Sequence, residues 1–125
     1  MRTELDEKLH NDFDFFKGYC GRGCEISCGD GWFDLVYELC TKLKETVYDD
    51  FFVSQVKEKL GGLRFYVHGA KDEEWDLISE YEEKSYTICE GCGKPGEIKK
   101  IGGWFSTACD SCNENILKNL TNTGN

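Results

Sequence analysis

The sequence predicts an α+β fold in which helices pack on a central β-hairpin, followed by a treble-clef or zinc-ribbon-like module. Three observations carry this. Residues 32–47 repeat apolar side chains at helical spacing, residues 51–68 alternate them around a Gly-Gly pair, and residues 89–112 hold two CxxC pairs. Residues 1–86 form the α+β region and 87–125 the four-cysteine module. No low-complexity linker separates the two, so one compact unit is expected.

The elements follow in chain order. Leu5, Leu9, Phe13 and Phe16 recur at helical spacing, and Thr3 with Asp6 resembles a capping pair, so a short helix opens the chain. A Gly-rich loop over 18–29 contains Cys20, Cys24 and Cys28. Trp32, Leu35, Val36, Leu39, Cys40, Leu43 and Val47 then form one apolar stripe. Asp30 is positioned to cap that helix, and Asp34 suits the positive end of its dipole. Cys40 lies inside the stripe and reads as a buried thiol.

The hairpin over 51–68 turns at Gly61-Gly62. Its core face carries Phe52, Val56, Leu60, Leu63, Phe65 and Val67. Its other face carries Gln55, Lys57, Lys59, Arg64, Tyr66 and His68. In this register Arg64 stands opposite Lys59, a like-charge pair that calls for an anion or carboxylates between them. An acidic helix over 71–85 comes next, held down by Trp75, Ile78 and Tyr81.

The module begins at Cys89. Sixteen residues separate the pair Cys89 and Cys92 from the pair Cys109 and Cys112, a spacing suited to a four-thiolate zinc site. Two residues between cysteines let one turn aim both sulfurs at one metal, with Zn–S near ~2.3 Å. Gly93 sits where that turn needs positive φ. Residues 97–101 and 104–107 pair around Gly102-Gly103, and Cys109 and Cys112 open a helix with Ile116, Leu117 and Leu120 as its apolar residues. Four thiolates close the site to water, which implies structural rather than catalytic zinc. The alternative is two disulfides or four free thiols. The last residues, 121–125, are expected to fray.

The runs Cys-Gly-Asp-Gly-Trp-Phe-Asp-Leu (28–35), Val-Lys-Glu-Lys-Leu-Gly-Gly-Leu-Arg-Phe-Tyr-Val (56–67) and CxxCGxPG…GGW…CxxC (89–112) resemble a family of small bacterial and phage proteins. The resemblance covers roughly residues 28–112. It implies a phage or mobile-element context and a zinc-binding tail, and no particular activity. Cys20 and Cys24 lie outside the pattern. With Cys28 and His10 they form a candidate second metal set, against which stands the reading of reduced cysteines in a Gly-rich loop.

Charge narrows the function. The net charge is −9, and residues 89–125 hold four acidic and four basic side chains, so the whole excess lies in residues 1–88. That disfavours a general nucleic-acid binder. The N-terminal residues lack an apolar run and no transmembrane stretch occurs, so the cytoplasm is expected, that of the host if the protein is viral.

The first functional expectation is a non-enzymatic module that binds and inhibits a host protein with a basic surface, such as a defence nuclease. The contacting residues would be Asp72, Glu73, Glu74, Asp76, Glu80, Glu82 and Glu83. The second is a nucleic-acid-binding zinc ribbon using Lys94, Lys99, Lys100 and Trp104. The third is a small enzyme acting at the Lys57, Arg64, Tyr66 and His68 face, where Lys59 completes a candidate anion or partner site. Neither histidine lies in a recognisable nucleophile motif, and the glycine pairs read as hairpin turns rather than nucleotide loops.

Overall fold

A computed structural model describes residues 1–17, 23–101 and 103–115. The chain runs through α1 (Thr3–Asp12), a 3-10 turn (Asp14–Phe16), β1 (Glu25–Ser27), a second 3-10 turn (Asp30–Trp32), α2 (Phe33–Lys44), β2 (Phe52–Lys59) and β3 (Gly62–His68). Next come α3 (Asp72–Lys84), a 3-10 turn (Ser85–Thr87), β4 (Glu97–Ile101) and β5 (Trp104–Ala108). Residues 110–115 are helical. The expected apolar residues Ile116, Leu117 and Leu120, the turn residue Gly102, the tail 121–125 and Cys20 lie outside the described residues. No helix among the described residues is long and apolar enough to cross a membrane.

The first sheet has the order β1-β2-β3, and β4 pairs with β5 in a second, two-stranded sheet. β1 runs parallel to β2, so it needs a crossover connection, and α2 supplies it. Residues 25–27 fall within the expected Gly-rich loop yet form a strand. A three-residue strand with Ile26 as its one apolar side chain has too little periodicity to show.

α1 is capped differently from the expectation. Its N-cap is Arg2, no side chain caps it, and Thr3 lies inside it. The Arg2 backbone N–H and Nε instead engage the Asp30 carboxylate at 2.7 and 2.9 Å. Asp30 is therefore not the cap of α2; it opens the 3-10 turn that leads into that helix. Within α2 the stripe is buried, with Leu35, Val36, Leu39, Cys40 and Leu43 facing the core, but the helix ends at Lys44, so Val47 lies beyond it and is only partly buried. Trp32, just ahead of α2, is fully buried.

The central hairpin departs from the expected turn and register. Lys59 pairs with Gly62, so the two-residue turn is Leu60-Gly61, with φ of 54° and 85°. Both values are positive, as a type I′ turn demands. Leu60 is thus an exposed turn residue (59%) and not part of the core. Arg64 lies opposite Lys57, not Lys59. A bulge between Val53 and Gln55 lets Val53 and Val56, three apart, both reach the core. Phe52 consequently turns to the other face, where its ring stacks on His68 at 4.5 Å.

α3 packs along the outer edge of β3. Glu82 Oε2 accepts the Phe65 backbone N–H at 3.0 Å, and Ser85 Oγ accepts that of Leu63 at 2.9 Å. These side chains satisfy edge donors that would otherwise invite another strand. Ile78 and Tyr81 are buried, but Trp75 is 45% exposed and is no core anchor.

Candidate metal centre

The first cysteine pair is built on a knuckle joined to the α+β region on both sides. Ile88 bridges to Pro95, the Cys89 N–H donates to the Lys94 carbonyl at 2.8 Å, and the Gly93 N–H donates to the Cys89 carbonyl at 2.9 Å. Gly93 adopts φ of 81°, as its position in the turn required. The outside of the knuckle rests on the turn before α2. Gly31 N–H donates to the Glu90 carbonyl at 2.8 Å, Gly29 N–H to Glu90 Oε2 at 2.9 Å, and Trp32 Nε1 to the Ile88 carbonyl at 2.8 Å. A Cβ at Gly31 would run into the Cys89 carbonyl, so this close approach admits only glycine.

The second pair arrives on β5 and the helical turn after it. β4 and β5 pair from Glu97–Ala108 to Ile101–Trp104, which delivers Cys109 beside the knuckle. Glu90 N–H donates to the Thr107 carbonyl at 3.0 Å, and the buried Thr107 hydroxyl donates to the Gly61 carbonyl at 2.6 Å. The ribbon is therefore bonded both to the knuckle and to the tip of the β2–β3 hairpin.

The sulfur atoms of Cys89, Cys92, Cys109 and Cys112 all lie within 4.8 Å of one another. Cys92 and Cys109 Sγ are 3.5 Å apart. A zinc–thiolate tetrahedron with ~2.3 Å bonds has edges of about 3.8 Å, so the donor set and its size suit a metal such as zinc. Cys89 is fully buried, Cys92 is exposed, and Cys109 and Cys112 are intermediate.

Protons compete for these sulfurs. Burial raises Cys89, but backbone amides of Cys109, Cys92 and Gly91 outweigh it and hold the thiol at about 6. The Cys112 amide lowers Cys109. The Lys94 amide lowers Cys92, but desolvation and the Cys109 and Cys89 sulfurs outweigh it and leave that thiol raised. Hydrogen bonds to Cys89 and Cys109 push Cys112 up to about 12. Four crowded sulfurs thus share protons among themselves, and a divalent cation would take the place of those protons.

The other sequence-predicted sites are differently placed. Cys24 and Cys28 are core thiols at 6% and 2% exposure, and the Cys24 thiol points at the Glu25 carbonyl. His10 Nδ1 is 2.8 Å from the Asp6 carboxylate, and its ring lies against Phe16. Among the described residues, the four-cysteine set is the one His, Cys or carboxylate group close enough to hold a metal, so Cys24, Cys28 and His10 do not assemble a second one.

On the hairpin face, Lys57 sits over the Tyr66 ring, and Arg64 donates to the Leu63 carbonyl. A hydrogen bond to Tyr86 raises Arg64 further. His68 is exposed against Phe52. On the acidic helix, Asp72, Glu73, Asp76, Glu80 and Glu83 are exposed. Glu74 and Glu82 are not surface carboxylates: Glu74 is 1% exposed, and Glu82 is spent on the β3 edge. In the ribbon, Lys99 is tied to Asp110 at 3.0 Å, whereas Trp104 is 74% exposed.

Sequence reasoning placed Glu74 among the partner contacts instead of in the core, and it missed Glu90. Glu74 stands three residues after Lys71, the spacing of a capping box, yet Lys71 has no side-chain acceptor to signal one. Glu90 gave no signal, because its bond to Gly29 joins residues 61 apart. Comparison with family models, with curated proteins and with solved structures gives no match.

Proposed function

We propose that the chain is a non-enzymatic protein-binding module, stapled by one structural zinc ion and presenting the outer face of α3 to a basic surface on a partner. The observation that carries this reading is the division of labour among the carboxylates of α3. Glu74 and Glu82 bolt the helix down, while Asp72, Asp76, Glu80 and Glu83 share its outer face and Glu73 borders it. Trp75, at 45% exposure, flanks this face. Aromatic residues rimmed by charge are the usual anchors of protein interfaces, and a rigid helix presents them at little entropic cost. A basic groove of a nucleic-acid-processing protein is the surface such a helix fits.

Zinc enters this reading as structure. Four cysteine donors would complete a tetrahedral zinc shell, and the knuckle carrying the first pair backs directly onto the turn before α2. On the hairpin face Lys57 lies over the Tyr66 ring, Arg64 donates to the Leu63 carbonyl and His68 stacks on Phe52. These side chains are engaged with neighbours rather than converging on a common point, which favours the α3 reading over catalysis at this face.

The test is capture of partners from lysate by wild-type protein, followed by affinity measurement with a variant carrying Glu73→Lys, Asp76→Lys, Glu80→Lys and Glu83→Lys. Binding weakened at least tenfold at low salt, with unchanged thermal unfolding, is the expected result. Undiminished affinity would sink the acidic-face reading. A second reading, in which exposed Trp104 with Lys94 and Lys100 stacks on single-stranded nucleic acid, predicts instead a gel shift lost in Trp104→Ala.

A further inference from the structure

We infer that Cys92 and Cys109 form a peroxide-reactive pair whose oxidation to a disulfide releases the metal and unlocks the ribbon. This rests on the zinc reading above and adds an oxidative modification site to it.

The four sulfurs are not equivalent. Cys89 is fully buried, at the floor of a cleft it shares with Cys112, and so is less accessible to oxidant than Cys92. Cys92 is exposed and opens on a surface cleft of about 410 Å³ walled by Arg2, Asp30, Gly31 and Phe33. Cys109 Sγ stands 3.5 Å from Cys92 Sγ, close enough to attack it once it is oxidised. Cys112 is partly exposed, and the described cysteines outside this set, Cys24, Cys28 and Cys40, are buried in the core.

The chemistry balances with a peroxide as oxidant. The Cys92 thiolate attacks one peroxide oxygen, the O–O bond breaks, and the leaving hydroxide or alkoxide takes up a proton. Cys92 is now a sulfenic acid. The Cys109 thiolate then attacks the Cys92 sulfur, an S–S bond forms, and the hydroxide expelled takes up a second proton as water. Two electrons pass from the two sulfurs to the peroxide. A metal held by the four sulfurs would then lose two of its ligands and dissociate.

The consequence is local but reaches the fold. Cys92 belongs to the knuckle and Cys109 to the end of β5, and Glu90 between the first two cysteines bonds to Thr107, Gly29 and Gly31. Repositioning the knuckle for a disulfide disturbs those bonds first.

The experiment uses the full chain as purified under reducing conditions. Elemental analysis before oxidant reports on the zinc reading alone: absence of metal removes that reading and this inference with it. Hydrogen peroxide is then added, released zinc is followed with a chromogenic chelator, and disulfides are mapped by peptide mass spectrometry. The expected result is one zinc released per peroxide consumed, with the Cys92–Cys109 linkage appearing at the same rate. Cys92→His keeps a fourth ligand, and its zinc release should be slowed at least tenfold. Zinc retained in excess peroxide overturns the inference, as does a first linkage between Cys89 and Cys112, which share a second cleft. Wild-type mapping decides the matter even if the variant does not fold.

Discussion

Glu82 Oε2 accepts the backbone N–H of Phe65 at 3.0 Å, so a helix side chain makes the hydrogen bond that a fourth strand would otherwise make. Removing that acceptor leaves a donor of β3 unpaired at the helix–sheet seam. Glu82→Ala should therefore cost about 1–3 kcal/mol in urea unfolding. Glu82→Gln keeps a carbonyl acceptor and should recover more than half of that loss. Equal loss in both variants would show that the charge, not the hydrogen bond, is what matters there.

Glu74 makes the sharper case. One oxygen accepts the Lys71 N–H at 2.9 Å and the other accepts the Thr46 hydroxyl at 2.9 Å, with Lys71 Nζ at 3.5 Å. Lys71 Nζ also donates to the Thr46 carbonyl, so this cluster joins the start of α3 to the chain just beyond α2. Glu74→Lys buries a charge without its partner and should cost about 3–5 kcal/mol. Glu73→Lys, Glu80→Lys and Glu83→Lys should each stay within about 0.5 kcal/mol of wild type. Chemical denaturation of the four single variants separates these two classes.

The turn of the central hairpin carries a residue that can be improved. Leu60 holds φ of 54° while 59% exposed, so it bears the cost of a left-handed backbone without burying its side chain. Leu60→Asn creates the Asn-Gly pair that type I′ turns favour and should stabilise the chain by about 0.5–1 kcal/mol. Gly62→Val should be damaging for a steric reason, since a Cβ there meets the Tyr86 hydroxyl. Melting temperatures that move together in the two variants would contradict this assignment of the turn.

These cases mark what the sequence could and could not disclose. Patterns local in sequence were legible: the α2 stripe, the β4–β5 ribbon and the two CxxC pairs, whose sulfurs the ribbon and knuckle bring together. Features set by contacts between distant residues were not. Nothing local places Glu90 beside Gly29, Glu82 beside Phe65 or Ile26 beside Val56. The bulge after Val53 shifts which side chains face the core, and the hairpin turn moves one residue upstream of the Gly-Gly pair. An acidic run shows charge but not burial, so Glu74 and the exposed carboxylates looked alike.

The metal prediction follows from how little else holds the module. After Ile88, the buried side chains among the described residues are Cys89, Thr107 and Ala108. With so small an apolar contribution from these residues, metal binding is expected to supply much of the energy that orders the ribbon and knuckle. Reduced protein should contain about one zinc per chain. Cys89→Ser should lose it, and chelator should abolish the protection of β4 and β5 from hydrogen exchange while leaving α2 protected. Full protection of the ribbon in metal-free protein would show that the staple is dispensable.

Cys24 and Cys28 give a prediction in pH. Burial is the main cause that pushes both thiols from an ordinary value of 9 up to about 12. The folded chain therefore keeps these protons where the unfolded chain has released them. Their contribution to stability is fully present below about pH 9 and is lost as pH rises through the window from 9 to 12. Within that window each thiol tilts the unfolding free energy downward by up to about 1.4 kcal/mol per pH unit. Urea unfolding of zinc-loaded protein at pH 7, 9 and 10.5 should fall steeply over the last interval. The double variant Cys24→Ala, Cys28→Ala removes both thiols; it should be less stable at pH 7 through lost packing, yet decline less between pH 9 and 10.5. Iodoacetamide at pH 8 should leave both cysteines unlabelled until the chain unfolds. Equal alkaline slopes in wild type and variant, or fast native labelling, would place these thiols outside the core.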